Sequence, residues 1–342
     1  MYNDERRRVG TRKELSLYIH LTIPLQIFSL IFYKMNPPFA FTIVDDTDGA
    51  TLENVKPMYD LLTSLGMRTT KTVWPLRCEE ANNPYRHSET LQDKHYADWV
   101  NALQHDGFEI AFHGASAGSN IRVKTLQGLE VFEQKLGRLP CVHINHHKNR
   151  DNLYWAMARF NSPLVRTVVG LNQKRRQLCY EGEKPDSPYF WGDICQQTIR
   201  YSRNLTYVKQ IDLIAINATL PYTDPHRPYV PRWFSSNDGG SPKRFLQLLS
   251  PQNINLLVKQ RGVCIVYAHF GQGFVQGGKV LAEVELALRY LAEQPNGQFM
   301  PVSELLDARC PPNQIANVLP AQERRRMERQ WLWEKLWSGG TS

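Results

Sequence analysis

From Pro38 onward, short apolar runs alternate with stretches whose apolar residues recur every three or four positions. Phe39–Val44 (FAFTIV) has the β-branched and aromatic content of a buried strand. A turn-rich DDTDG follows, and then Leu52, Val55, Tyr59, Leu62 and Leu65 form one helical stripe that closes at Gly66. The same alternation predicts a strand over Arg68–Trp74, a helix around Tyr96–Leu103 stopping near Gly107, and a strand at Phe108–Phe112 (FEIAF). A helix at Leu126–Leu136 capped by Gly137 comes next, followed by an extended Cys141–Asn145 (CVHIN). Further strands are expected at Tyr189–Asp193, Asp212–Asn217 and Val263–His269 (VCIVYAH), with a helix at Leu281–Leu291 after the last of them. Repeated strand–helix units with near-continuously apolar strands indicate an α/β protein with a mainly parallel sheet under helices. An open doubly wound sheet and a closed barrel both satisfy the pattern. The loop DDTDGAT holds a single glycine, which argues against a phosphate-cradling turn of the dinucleotide or P-loop kind.

The two ends break the pattern. Arg6, Arg7, Arg8, Arg12 and Lys13 precede an apolar stretch from Leu15 to Tyr33, the order of a signal anchor. His20, Pro24 and Gln26 interrupt that stretch and no small-residue cleavage site follows, so residues 1–35 are expected to be an extension rather than a membrane span. Met35 is a candidate natural start. Residues 311–342 form a basic, Trp-rich tail in which Arg324, Arg325, Arg326 and Arg329 mix with Trp331, Leu332, Trp333, Leu336 and Trp337. A helix there suits either a membrane interface or packing of its tryptophans onto the domain, and packing is the expectation. Residues 36–310 remain as the main domain.

Composition narrows the class. Of 342 residues, 42% are hydrophobic and 22% charged, an ordinary globular balance. Lys and Arg outnumber Asp and Glu by 41 to 33, a net charge of +8, and half of that excess sits in residues 1–14 and 321–335. No recognition motif lies behind the charge, so no nucleic-acid partner is expected. The six cysteines are widely spaced without a CxxC pair, which favours a reducing, cytoplasmic setting over a membrane-anchored or periplasmic one.

The unusual polar residues fall at strand ends. Asp45 and Asp46 follow the first strand, His113 follows FEIAF, His143, His146 and His147 lie at or beyond CVHIN, and His269 ends VCIVYA. In a parallel α/β sheet or barrel these C-terminal ends converge on one face. One carboxylate with two imidazoles is a common ligand set for Zn²⁺, Fe²⁺ or another divalent ion. Neighbouring strand residues face opposite sides, so Asp45 and Asp46 would do different jobs, one holding metal and the other acting as a base. Asp48, beside Gly49, suits a turn or helix N-cap.

This order, strand–Asp-Asp, strand–His, a polar-bearing strand and an apolar strand ending in His, resembles the polysaccharide deacetylase superfamily (NodB-like, carbohydrate esterase family 4) over roughly Phe39 to Asp307. The resemblance implies a distorted (β/α) barrel of about seven strands and a divalent metal, Zn²⁺ being the ion expected. It implies hydrolysis of an amide C–N bond that removes an acetyl or other acyl group from an N-acetylated sugar or polysaccharide. By the same resemblance VDDTDG stands at the family's first motif, with Asp45 as catalytic base, Asp46 and His113 as metal ligands and His269 as general acid. The family's second metal histidine, four residues after the first, is replaced by Ala117 in HGASAGSN. The segment HINHHKN stands where the family has an Arg-Pro-Pro-Tyr-Gly motif, and the motif arginine is not in place. His146 is the preferred third ligand, with His143 next, and Asn145 and His147 are further candidates. Asp193 in PYFWGDIC and Trp233 in PRWFSSNDGG are pocket candidates, Trp233 as a sugar-stacking ring on a loop over the mouth. A catalytically inactive carbohydrate-binding barrel and a membrane-associated assembly protein are the alternatives.

Overall fold

Seven strands, almost every residue of them buried, close on one another as a parallel barrel. The computed structural model describes residues 38–338; the expectations for residues 1–35 lie outside them. The strands are β1 (Phe39–Asp45), β2 (Thr70–Val73), β3 (Glu109–Phe112), β4 (Val142–His143), β5 (Tyr201–Tyr207), β6 (Arg232–Asp238) and β7 (Val263–Ala268). β1 pairs with β2 at Val44 and Asp45, and with β7 from Ala40↔Val263 to Asp45↔Ala268, which closes the ring. Because β2 meets only the far end of β1, Phe39–Phe41 remain free on that edge. A late strand, Gly297–Phe299, pairs there in parallel.

Helices wrap the barrel where the apolar stripes require them. Leu52–Ser64 starts at Thr51, whose hydroxyl caps Asn54 N–H while the Asn54 side chain returns a bond to Thr51 N–H. The helix buries Val55, Met58, Tyr59, Leu61 and Leu62. Lys94–His105 and Arg122–Leu136 follow β2 and β3, and the second of these ends at Gly137 in the left-handed conformation glycine tolerates. The seven barrel strands run the same way, so their C-terminal ends open onto one mouth.

Three expected elements differ. Tyr189–Asp193 is a turn leading into the helix Gly192–Thr198, because Trp191 N–H and Gly192 N–H both fold back onto Gly182 O. Asp212–Asn217 is a single helical turn at Leu213–Ile216, started by Asp212, whose carboxylate accepts Ile214 N–H and Val263 N–H. The stretch around Trp233, expected as a surface loop, is β6 and wholly buried. It and β5 (YSRNLTY) hide their strand character because Arg203, Asn204, Ser235, Ser236, Asn237 and Asp238 are polar yet buried.

The C-terminal helix Ala321–Ser338 packs against the body through Met327 and Trp331, with Trp331 beside Phe160 at 4.8 Å between ring centres. Trp333, Leu336 and Trp337 are exposed. No described helix is long and apolar enough to cross a membrane. Glu328 fixes the dock: its buried carboxylate accepts Asn161 N–H at 2.8 Å, Ser162 N–H at 2.7 Å and Arg324 Nε–H at 2.9 Å. Glu328→Ala strips two amides of their acceptor and leaves Arg324 with Asp224 as its remaining carboxylate, and is expected to destabilise the protein by about 2–4 kcal/mol, read as a lower urea midpoint. An unchanged midpoint would show that the helix is not part of the cooperative unit.

Candidate metal centre

The end of β1 and its loop bury three carboxylates in four positions: Asp45, Asp46 and Asp48. A buried carboxylate must find compensating charge or donors. Each of the three does so differently.

Asp45 faces the helical layer. Its Oδ2 accepts from Tyr59 Oη–H at 3.0 Å and Lys71 Nζ at 3.1 Å, and its Oδ1 accepts from Phe270 N–H at 2.8 Å. Lys71 is 0% exposed. Burial acts against its ammonium, but Asp45 and Tyr96 together outweigh it and hold the lysine above its usual pKa. Asp46, on the opposite side, reaches the mouth and takes Arg203 in a two-pronged pair, Nη1 to Oδ1 at 3.0 Å and Nη2 to Oδ2 at 2.5 Å. The Arg203 guanidinium also lies over the Tyr267 ring at 4.4 Å.

Among the described residues, the Asp48 side chain meets only imidazoles. His113 Nε2 is 3.0 Å from Oδ1, and His146 Nε2 and His269 Nε2 are 3.4 and 3.5 Å from Oδ2. Burial works to raise the Asp48 pKa, yet the His146 charge and contacts from the three rings hold it well below the carboxylate range. The reciprocal effect overcomes burial at His146, which is raised, and at His269, which reaches about 9.

Loops bring the rings together. His113 follows β3, with its carbonyl bonded by Trp74 Nε1–H at 3.0 Å. The segment after β4 is stapled by Asn145, which exchanges two bonds with the Leu153 backbone at 2.9 Å each. Asn149 donates to Ser116 O and Gly118 O at 3.2 and 2.7 Å, so its own oxygen faces His146 Nδ1 at 3.1 Å. In the neutral ring this puts the proton on Nδ1 and leaves the Nε2 lone pair, which has no hydrogen-bond partner, facing Asp48. His269 donates from Nδ1 to Gly240 O at 3.1 Å. The loop behind it touches the Asp48 loop so closely that a Cβ at Gly271 would lie 2.7 Å from Ala50 N, which requires glycine.

The residues present fit a small divalent ion. Donor atoms of Asp48, His113 and His146 lie within 4.8 Å of one another. Ligands about 2.1 Å from a tetrahedral ion are about 3.4 Å apart, close to the separations here. The centre opens into a cavity of about 270 Å³ lined by Asp46, Asp48, His113, His146, Arg203 and His269.

Other expected residues fall as follows. Asn145 and His147 line the cavity, the first mainly as the loop staple. His143 lies in the core beside Trp191, where burial and the charges of His113 and Arg203 push it down to about 3. Asp193 is away from the mouth in a half-exposed pair with Arg122, at 2.6 and 2.8 Å. Trp233 is 1% exposed inside β6, so its ring has no open face to stack on a sugar. Sequence reasoning missed two members. Asp48 read as a turn or cap residue, but Thr51 does the capping. Arg203 sits in an unrecognised strand; the only signal was an arginine alternating with Tyr201, Leu205 and Tyr207.

No protein-family model and no curated protein sequence matches the chain. Among solved structures it is similar to Puue allantoinase, at 12% identity over 82% of this chain and 97% of that one, with a TM-score of 0.47. It is also similar to a putative polysaccharide deacetylase from Mycobacterium smegmatis, at 11% identity over 83% and 94%, with a TM-score of 0.47. A family 4 acetyl xylan esterase from Clostridium thermocellum, in complex with a cobalt ion, has 12% identity over 79% and 91% and a TM-score of 0.37. At such distance the chemistry of the centre has to rest on its own side chains.

Asp45→Asn leaves Lys71 as a buried, poorly compensated cation and loosens the loop that carries His269. The variant is expected to lose about 3 kcal/mol of stability in urea unfolding. Wild-type stability would show that the Asp45–Lys71 pair is not a structural clamp.

Proposed function

We propose that the chain is a metal-dependent hydrolase of the deacetylase type, removing an acyl group from an N-acetylated sugar or polysaccharide. The observation that carries the reading is Asp48: it is buried, its side chain meets only imidazoles, and one of those rings is locked with a free nitrogen toward it. In this reading Asp48, His113 and His146 hold the ion, with Zn²⁺ the expected occupant of such an oxygen–nitrogen set. A divalent ion there supplies Lewis acidity, polarising a carbonyl and easing deprotonation of water.

The remaining roles belong to the chain. Asp46 lines the cavity and is held rigid by Arg203, so it is placed to take a proton from the attacking water. His269, 3.5 Å from Asp48 and lining the same cavity, is placed to give a proton to the departing amine. Asn149 fixes the His146 tautomer, and Asn145 and Asn152 hold the loop that carries it. This moves the ion-holding carboxylate from Asp46 to Asp48 and the base from Asp45 to Asp46. Ala117 offers no donor, and His146 supplies the second imidazole in its stead.

The test couples metal content to turnover. The purified protein is expected to carry about one divalent ion by elemental analysis, and Asp48→Asn or His146→Ala to lose it. Asn149→Ala should weaken metal affinity about 10–100-fold. Asp46→Asn should keep the metal while hydrolysis of an N-acetylated saccharide falls about 10²–10⁴-fold. A wild-type protein without affinity for divalent ions would leave a barrel without this chemistry.

A further inference from the structure

Next to the centre, under the C-terminal helix, lies a second cavity of about 430 Å³. His147 and Trp155 line both cavities, so the two share a wall. Two cations face the second one without adequate partners. Arg159 is 3% exposed, and its Nε and Nη2 have no hydrogen-bond partner. Its guanidinium lies 3.6 Å from the centre of the Trp155 ring, and no carboxylate pairs with it among the described residues. The side chain of Lys335 is 8% exposed and its Nζ makes no hydrogen bond. Its nearest carboxylate oxygen, Asp238 Oδ2 at 3.6 Å, is already engaged by Arg244 Nη1 at 2.5 Å.

Buried charges are ordinarily paired, since removing them from water is costly. Here the surroundings add more positive charge. Burial, then Arg203, lowers Arg159 to about 9, and burial, with Arg159 and Arg244 nearby, lowers Lys335 to about 8. Trp155, Trp331 and Tyr180 are among the lining residues, the Trp155 ring lying against Arg159 and the Trp331 ring against Phe160. A cavity of this size lined by two unmatched cations is complementary to an anionic ligand.

We propose that this cavity is an anion subsite in which Arg159 and Lys335 bind a carboxylate or phosphate group of an acidic saccharide. The wall shared through His147 and Trp155 makes that saccharide the one whose acyl group reaches Asp48, a link that rests on the hydrolase reading. The anion site itself does not depend on it.

Calorimetric titration of the full-length, chelator-treated protein with glucuronate, glucose 6-phosphate and glucose tests the subsite apart from any metal. At least one acidic sugar is expected to bind ten times more tightly than glucose, and whichever binds identifies the carboxylate or the phosphate. Arg159→Met and Lys335→Met should each abolish that preference. Both substitutions replace an unmatched buried charge with an apolar chain of similar reach, so the unliganded melting temperature should hold or rise. Equal binding of all three sugars, or a preference that survives both substitutions, overturns the subsite. A readout without variants is the wild-type melting temperature in rising glucuronate and in rising inorganic phosphate, where an upward shift with neither would equally overturn it. Loss of metal affinity in the untreated wild type would remove the hydrolase reading and leave the sugar titrations to decide this one.

Discussion

Neutralising three buried carboxylates is the constraint on which the mouth of the barrel depends. Asp45, Asp46 and Asp48 leave one strand end within four residues, and none can stay charged there alone. Lys71 from the neighbouring strand neutralises Asp45, and Arg203 from across the barrel neutralises Asp46. Asp48 receives imidazoles, which give up their protons far more readily than a lysine or arginine, so a cation can take the place of those protons there. The same pairs build the geometry. Asp45 grips the loop after β7 through Phe270 N–H and so positions His269, while Arg203 orients Asp46 toward the cavity.

How much of this was legible in the chain follows from what sequence patterns record. β1, β3 and β7 are apolar runs, and their ends pointed directly at His113, His269 and the acidic loop. β5 and β6 carry buried Arg203, Asn204, Ser236 and Asn237, whose polarity is satisfied only by partners distant in sequence, so they read as loops. The division of labour among the three aspartates was equally hidden. Alternation does separate Asp45 from Asp46, but which of them meets Lys71 and which meets Arg203 depends on strand register. Asp48 lies beyond the strand, where periodicity stops and Asp most often turns or caps a chain.

The C-terminal helix belongs to the same economy of charge. Arg324 and Glu328 are buried together and tie it to the segment at Asn161 and Ser162. Lys335, about two turns further along the same face, enters the wall of the cavity beside the centre. A basic, aromatic stretch that resembles an interfacial helix in composition therefore buries Met327 and Trp331 and leaves Trp333 and Trp337 outside. Composition alone does not distinguish these placements, because the deciding contacts are with residues more than a hundred and fifty positions upstream.

The central claim is that the ion belongs to Asp48 rather than to Asp46. Anomalous diffraction from crystals of the protein loaded with zinc measures this directly. The account predicts one strong peak within bonding distance of Asp48, His113 and His146, with the Asp46–Arg203 pair intact beside it. A peak coordinated by Asp46 with Arg203 displaced, or no peak at the barrel mouth, would contradict it.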